Sequence, residues 1–194
     1  HLSIRRQRQM CIRDSNGALI TMIETGDGNV VVPVQKLWHD PGRHVTPTYV
    51  SSDDGKTWGV SNVIDLGGDG HHDGSYEATL VELRDGRLWM LIRTNWDYFW
   101  EAYSDDGGLH WLEFRPTKID SSSSPGYVTR LSSGRLFLTW NRLYPENETD
   151  GPRRAWHYSD VPASWQRQEL AVAFSDDDGK NWTEPEVIAR DPYR

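Results

Sequence analysis

The stretch "SDDDGKNW", residues 175–182, places three consecutive carboxylates before a glycine. Three interpretations are open: a metal-binding loop, an acid/base pair or a tight turn. The spacing S-x-D-x-G-x-x-W occurs in two further stretches, "SSDDGKTW" and "SDDGGLHW". The repeated residues are Ser51, Asp53, Gly55 and Trp58; Ser104, Asp106, Gly108 and Trp111; and Ser175, Asp177, Gly179 and Trp182. Such recurrence at fixed positions indicates an internal structural repeat.

A metal-binding loop fits the stretch poorly. An EF-hand register that runs through Gly179 would need an acid at Phe174 and a glutamate at Pro185. A tight turn fits better: the serine and aspartate accept hydrogen bonds from backbone amides, the glycine adopts a positive φ, and the tryptophan packs into the sheet. We therefore interpret the three copies as structural turns.

A second pattern alternates with these turns. "VELRDGRLWMLI" (81–92) and "TRLSSGRLFLTW" (129–140) each place a polar, glycine-containing turn between apolar runs, and "RDSNGALITMI" (13–23) resembles a degenerate third copy. Each repeat then contains four antiparallel strands, and units of about 50 residues in series are typical of a β-propeller. The sequence predicts an all-β propeller fragment with blades at about 16–66, 75–120 and 124–190.

Composition excludes several classes of function. The chain has 194 residues and a formal net charge of −8, which argues against binding to a nucleic acid backbone. It contains no run of about 18 apolar residues that would span a membrane. Cys11 is the single cysteine, so no disulfide forms within the chain. Residues 1–15 are basic and unlike the rest, and we expect them to be a non-native segment on a chain truncated at its N-terminus.

The S-x-D-x-G-x-x-W element resembles the Asp-box of sialidases and related bacterial neuraminidase repeats, a family of six-bladed β-propellers. The resemblance covers nearly all of the chain after residue 15 and implies about three blades, or half a propeller. It implies a glycan partner, no metal or other cofactor, and a secreted or periplasmic location. Asp-boxes also occur in propellers with other ligands or none, so the motif specifies the fold more closely than the activity.

Strand order predicts which face carries a binding site. The Asp-box connects the third and fourth strands of a blade, so it shares a face with the "DGR" and "SGR" turns, and pocket residues should lie at the opposite end. Counting outward from a four-residue turn pairs Leu83 with Leu88 and brings Glu77 opposite Thr94, beside Arg93. A carboxylate and a guanidinium are thus expected to meet at the open end of one hairpin.

The same count in the third blade sets Pro125 opposite Arg142 and Gly126 opposite Asn141. Arg167, eight residues before Ser175, falls at the start of a strand on the same face. We therefore expect Arg142, Asn141 and Arg167 to line the pocket.

The resemblance assigns roles to some of these residues. "YEATLVELRDGRLWMLIRT" (76–94) is similar to the sialidase hairpin in which a Glu starts one strand and an Arg ends the next. In that family the Glu polarises a tyrosine nucleophile and the Arg is one of three that hold the substrate carboxylate. Glu77 would then be the base, Arg93 an anchor and Arg167 a second anchor. A neutral tyrosine avoids the repulsion that a carboxylate nucleophile would meet from the acidic sugar.

Other elements of the family pattern are missing. The first arginine has no counterpart in the chain, and the nucleophilic tyrosine would belong to a later blade. The acid/base aspartate has only Asp40 and Asp73 as candidates.

Further pocket candidates follow from their positions. His72 and Asp73, in "GHHDGS", are expected to line the pocket rather than bind a metal, because three adjacent residues cannot easily converge on one ion. Trp96 and Tyr98 follow Arg93 and are expected at the rim. The long segment 144–165 is rich in Pro, Trp and charge, which suggests a lid or specificity insert.

Three hypotheses for function remain open. The leading one is a fragment of an exo-acting sialidase-type glycoside hydrolase that releases terminal sialic acid or a related acidic sugar with retention. The second is a non-catalytic Asp-box propeller that binds glycan or protein. The third is a propeller hydrolase or lyase that acts on another polysaccharide through His71 or His72. On the first hypothesis the isolated chain should be inactive and should self-associate through its open blades.

Overall fold

The computed structural model describes residues 17, 20–39, 42–70, 73–155 and 159–191, and these residues contain sixteen β-strands and no helix. In this part of the chain, no helix is therefore long and apolar enough to cross a membrane. Three four-stranded antiparallel sheets account for most of the strands. The prediction of an all-β propeller fragment is confirmed.

Each large sheet follows the chain order of an up-and-down blade, except that the first and third contain an insertion after their second strand. The first comprises β1 (Ile23–Glu24), β2 (Val30–Pro33), β5 (Thr48–Ser51) and β6 (Gly59–Val60). The second comprises β7 (Tyr76–Glu82), β8 (Leu88–Arg93), β9 (Tyr98–Ser104) and β10 (Leu112–Asp120). The third comprises β11 (Tyr127–Arg130), β12 (Leu136–Trp140), β15 (Glu169–Ser175) and β16 (Glu186–Arg190).

The two insertions form two-stranded sheets of their own. In the first sheet the insertion pairs β3 (Lys36–Trp38) with β4 (Arg43–Val45), and in the third it pairs β13 (Arg153–Arg154) with β14 (Ala163–Ser164).

The inner strands β7 and β8 of the second sheet are largely buried, which explains the apolar run 88–92 of β8. Successive side chains of a strand point to opposite faces, so alternate residues of β8 enter different cores. Trp89 and Leu91 pack with residues of the third sheet, whereas Met90 and Ile92 pack with residues of the first. The two cores therefore hold three adjacent sheets together, as blades are held in a propeller.

The hairpin turns of the three sheets share one geometry. In the second sheet, the Leu83 amide donates to the Arg87 carbonyl at 2.8 Å and the Gly86 amide donates back to Leu83 at 3.0 Å. Gly86 has a φ of 86°, the left-handed region that glycine adopts without strain. The equivalent pairs in the first and third sheets are Thr25 with Asn29 and Leu131 with Arg135.

This three-residue turn corrects the register expected from the sequence. Counting from a four-residue turn placed Leu83 opposite Leu88 and Glu77 opposite Thr94, but Glu82 pairs with Leu88, and beyond a further register shift Tyr76 pairs with Arg93. The count next to the turn was wrong because a glycine in the left-handed region shortens the loop by one residue, and a β-bulge shifts the register again at Tyr76.

The expected register of the third sheet was wrong for the same reason. Its Tyr127 pairs with Thr139, one residue out of the predicted register, so the expected pairings of Pro125 with Arg142 and Gly126 with Asn141 are also wrong.

The first hairpin lies elsewhere than the sequence suggested. Its turn is "TGDGN", residues 25–29, and not the proposed copy in "RDSNGALITMI". Most of that proposed copy lies outside the described residues, as does the segment 1–15. The three hairpin turns share a glycine at their fourth position, namely Gly28, Gly86 and Gly134.

The three Asp-boxes form the same network of hydrogen bonds. In the third, the Ser175 hydroxyl donates to Asp177 Oδ1 at 2.9 Å and accepts from the Gly179 amide at 2.9 Å. Asp177 Oδ1 also accepts from the Asn181 amide, and the Trp182 indole N–H donates to the Gly179 carbonyl at 3.1 Å. The other two boxes repeat these contacts.

The Asp-boxes share a face with the hairpin turns, as strand order requires. The Arg84 amide in the second hairpin turn donates to Asp178 Oδ2 in the third Asp-box at 2.9 Å, and Arg130 contacts the same carboxylate. The start of β7 and the end of β8 therefore lie at the opposite end of the sheet.

Candidate active site

Glu77 lies on a β-bulge at the open end of the second hairpin. Tyr76 pairs with Arg93 and Thr79 with Leu91, so two residues of β7 face a single residue of β8. Glu77 has a φ of 45°, which is uncommon for a residue with a side chain. Bulges redirect side chains and are frequent next to active sites. Here the bulge brings the Glu77 carboxylate to the guanidinium of Arg93.

Arg93 is the buried centre of this group and is only 4% exposed. Its Nη1 donates to Glu77 Oε2, and its Nη2 donates to the carbonyl and hydroxyl oxygens of Ser123 at 2.6 and 3.1 Å. The guanidinium carbon lies 4.5 Å from the Tyr76 ring and 5.9 Å from the Trp165 ring. These contacts fix the planar guanidinium on several sides.

Arg167 joins the same group from the end of the insertion in the third sheet, two residues before β15 and not within a strand as the sequence predicted. Its Nη2 donates to the Ser123 carbonyl at 3.2 Å, although much of its side chain is exposed. Partial burial of its guanidinium lowers the pKa of Arg167, and the positive charge of Arg93 lowers it further. The group thus holds two cations within reach of one carbonyl.

Tyr76 packs against Arg93 and lies within hydrogen-bond distance of Ser123. Its hydroxyl lies 3.0 Å from the Ser123 hydroxyl, and its ring stacks on Arg93. Burial raises the pKa of Tyr76, an effect that the Arg93 charge partly offsets. The phenol is therefore a protonated hydrogen-bonding group at neutral pH.

Asp73 is buried beside this group and is 1% exposed. Its Oδ1 accepts from Asn95 Nδ2 at 2.6 Å and from the Ser159 hydroxyl at 2.5 Å, while its Oδ2 accepts from the Asp69 amide at 2.8 Å. A carboxylate so enclosed is a structural acceptor and is poorly placed to exchange protons with a ligand. Asp73 was predicted to line the pocket, but it is buried behind the pocket surface.

The remaining predicted residues surround the group less closely. The Asn141 side chain donates to the Glu169 carbonyl at 2.7 Å and so supports the third sheet. Arg142 forms no ion pair within the described residues. Trp96 is half-buried against Trp100, with ring centroids 5.7 Å apart, and Tyr98 is exposed.

Asp40, His71 and His72 lie outside the described residues. Within those residues, no cluster of three or more His, Cys, Asp or Glu side chains is arranged to hold a metal ion.

Sequence reasoning missed three residues of the group. Tyr76 precedes Glu77 directly, so its position was visible once Glu77 was chosen. Ser123 lies in the four-serine run 121–124, which is buried throughout and lies between β10 and β11. Trp165 comes from the third-sheet insertion, and no local pattern indicated that it reaches the second sheet.

A cavity of about 260 Å³ adjoins this group. Its walls include Tyr144, Arg153 and Trp165 from the third-sheet insertion, together with Arg167. Arg167 therefore contacts both the Ser123 carbonyl and the cavity.

Residues 15–194 match the BNR repeat-like domain family. The chain belongs to the BNR repeat-like family. The match covers all three Asp-boxes and every residue of the group around Arg93. A search of curated proteins gave no match.

Solved structures place this BNR repeat-like chain among sialidase folds. NanB sialidase from Streptococcus pneumoniae superposes with a TM-score of 0.59 at 19% identity, over 90% of this chain and 24% of the other. Trypanosoma rangeli sialidase superposes with a TM-score of 0.55 at 18% identity, over 87% of this chain and 24% of the other. A protein of Dyadobacter fermentans superposes with a TM-score of 0.53 at 18% identity, over 87% of this chain and 52% of the other. The chain thus spans about half or about a quarter of these structures' length, and at such identity the likeness concerns the fold.

Proposed function

We propose that this chain is part of a sialidase-type exo-glycosidase that removes terminal sialic acid or a related acidic sugar. The observation that carries the proposal is the convergence of Glu77, Arg93 and Arg167 at the end of the sheets opposite the Asp-boxes. A carboxylate and two guanidiniums at one site suit a ligand that carries its own carboxylate.

In this proposal Arg93 and Arg167 attract and orient the sugar carboxylate. Arg93 Nε is buried and has no hydrogen-bond partner within the described residues, so it would bind a ligand oxygen only after the side chains that cover it move. Arg167 offers exposed donors next to the cavity. Arg93 would therefore contact the anion on its buried side, and Arg167 would contact it on its exposed side.

Glu77 would act as the base that polarises a tyrosine nucleophile. Its side chain is 23% exposed, so it remains accessible while Arg93 holds one of its oxygens. We expect the tyrosine from another blade of the natural protein, because Tyr76 is buried and bonded to Ser123.

A non-catalytic glycan-binding propeller is the second candidate. One observation favours it: Arg93 is almost completely covered by Tyr76, Trp165 and Ser123, which suits a rigid recognition site as well as a catalytic one. A binding protein would keep the arginine contacts and would not depend on a basic Glu77.

Hydrolysis of a fluorogenic methylumbelliferyl sialoside by the natural full-length protein separates the two candidates. If Glu77 is the base, Glu77→Gln should lower kcat by about 10²- to 10⁴-fold. Glu113→Gln is a matched control, because Glu113 also has a positive φ, of 58°, beside a register shift but lies exposed on β10. It should retain activity.

The outcomes of this assay are distinct. Full activity in Glu77→Gln would exclude the proposed role of that residue. A wild-type protein that binds sialylated glycan without hydrolysing it would favour the second candidate.

A further inference from the structure

The segment that connects β12 to β15 reaches across to the second sheet. We call residues 141–168 the third-sheet insertion; its described parts are 141–155 and 159–168. It contains the small sheet of β13 and β14. At its C-terminal end the Ser164 carbonyl accepts from the Ser123 amide at 2.7 Å, next to the site. Its middle part makes two separate polar contacts with the second sheet.

The first contact is an ion pair between Arg153 and Asp97. Arg153 Nη2 donates to Asp97 Oδ2 at 2.6 Å, and both side chains are about one-third exposed. Asp97 lies four residues after Arg93, in the loop between β8 and β9. This loop has a positive φ of 73° at Asp97, so its geometry is specific. The contact therefore ties the insertion to the loop that follows Arg93.

The ion pair is linked to the site through Arg154 and Trp165. Arg154 follows Arg153, and its carbonyl accepts from the Trp165 indole N–H at 3.0 Å. The Trp165 ring lies 5.9 Å from the guanidinium carbon of Arg93. A continuous series of contacts thus runs from Asp97 through Arg153 and the Arg154 carbonyl to the ring that lies over Arg93.

The second contact is buried and independent of the first. The Ser159 hydroxyl donates to Asp73 Oδ1 at 2.5 Å, and Asn95 Nδ2 lies within hydrogen-bond distance of both. Asp73, Asn95 and Ser159 are each at most 5% exposed. Because Asn95 is two residues after Arg93, the insertion holds the same loop on both sides of Trp96.

We propose that Asp97 and Ser159 are positioning residues that fasten the third-sheet insertion to the second sheet and thereby hold Trp165 and Arg167 in their binding geometry around Arg93. Neither Asp97 nor Ser159 touches the ligand. Their loss should leave Glu77 and Arg93 in place and weaken binding through the insertion. The ligand of this proposal rests on the proposed function, whereas the fastening of the insertion does not.

Two variants and two matched controls test the proposal. Asp97→Asn removes the charge that holds Arg153, and Ser159→Ala removes the hydroxyl that bonds Asp73. Asp176→Asn is the control for the first, because Asp176 forms an exposed ion pair with Arg135 at 2.8 Å on the Asp-box face. Ser133→Ala is the control for the second, since Ser133 lies exposed in a hairpin turn.

Hydrogen–deuterium exchange of this chain reports on the fastening without any ligand. Peptides that cover 143–155 and 159–165 should exchange faster in both variants than in wild type and the controls. Peptides that cover the second Asp-box, residues 104–111, should not change. Equal exchange of the insertion in all five proteins would overturn the fastening.

Titration with N-acetylneuraminate, followed by NMR, reports on the positioning. Each variant should raise the Kd about fivefold, as expected for the loss of one hydrogen bond's worth of free energy. In the full-length protein, KM for the fluorogenic sialoside should rise while kcat stays the same. Faster exchange with an unchanged or lower Kd would overturn the positioning role. If wild type does not bind N-acetylneuraminate, the proposed function and the positioning role both fail, and the exchange data alone decide the fastening.

Discussion

Arg93 and Arg167 both donate to the carbonyl oxygen of Ser123, at 2.6 and 3.2 Å. Arg93 ends β8 of the second sheet and Arg167 lies just before β15 of the third, so the carbonyl connects the second blade to the third at the site. Two cations that share one acceptor repel each other, and this repulsion contributes to the lowered pKa of Arg167 after its partial burial. The two guanidiniums create a positive electrostatic potential next to Glu77. A bound anion would reduce the repulsion between them.

Removal of Arg93 should destabilise the fold. Arg93→Ala leaves the Glu77 carboxylate without its partner and removes the shorter of two hydrogen bonds to the buried Ser123 carbonyl, and we expect a loss of about 2–3 kcal/mol in the free energy of unfolding. Urea denaturation at neutral pH measures it. Arg135→Ala, which breaks an exposed pair with Asp176, should cost less than about 1 kcal/mol. Equal losses in the two variants would contradict the central place of Arg93.

The tryptophans of the Asp-boxes should differ in their contribution to stability. Trp111 is fully buried, and its indole N–H donates to the Thr48 hydroxyl of the first sheet at 2.9 Å. Trp111→Ala should cost about 3–5 kcal/mol because it opens a cavity between two sheets. Trp58 has the same place in its box but is 45% exposed, so Trp58→Ala should cost less than about 1 kcal/mol. Similar unfolding midpoints for the two variants in urea would contradict this packing.

The third Asp-box should lose stability in acid. The pKa of Asp177 is lowered to about 2, first by the hydrogen bond from the Asn181 side chain and then by that from the Asn181 amide. Because the folded-state pKa lies below the unfolded value, ionised Asp177 stabilises the fold above about pH 4, and this effect disappears as pH falls towards about 2.

Thermal unfolding of wild type and Asp177→Asn measures this effect. The wild-type Tm should be the higher at neutral pH, and the difference should shrink between about pH 4 and pH 2. A difference in Tm that does not depend on pH would show that the carboxylate charge is not responsible.

The sequence predicted the fold well because its strongest signal is local. An Asp-box bonds to itself within eight residues, as Ser175, Asp177 and Gly179 do, so three copies were sufficient to assign three antiparallel sheets and the face of the turns. Turn length was harder to predict. The left-handed glycine at Gly86 shortens the hairpin by one residue, and the register was accordingly wrong by one.

The sequence predicted that Glu77 and Arg93 lie close together, but it did not predict the backbone geometry that brings them together. Glu77 and Arg93 do meet, but through a bulge that redirects Glu77 and not through a regular cross-strand pair. Contacts that depend on tertiary structure were not visible. Trp165 reaches Arg93 from an insertion 72 residues further along the chain, and neither strand periodicity nor turn residues specify such a crossing.

The location of bound N-acetylneuraminate tests the central claim most directly. A crystal structure of the natural full-length protein soaked with this sugar should show its carboxylate within hydrogen-bond distance of Arg167 and Arg93, with Glu77 beside the ring. Binding at the Asp-box face, or within the site but with the carboxylate turned away from both arginines, would contradict the account.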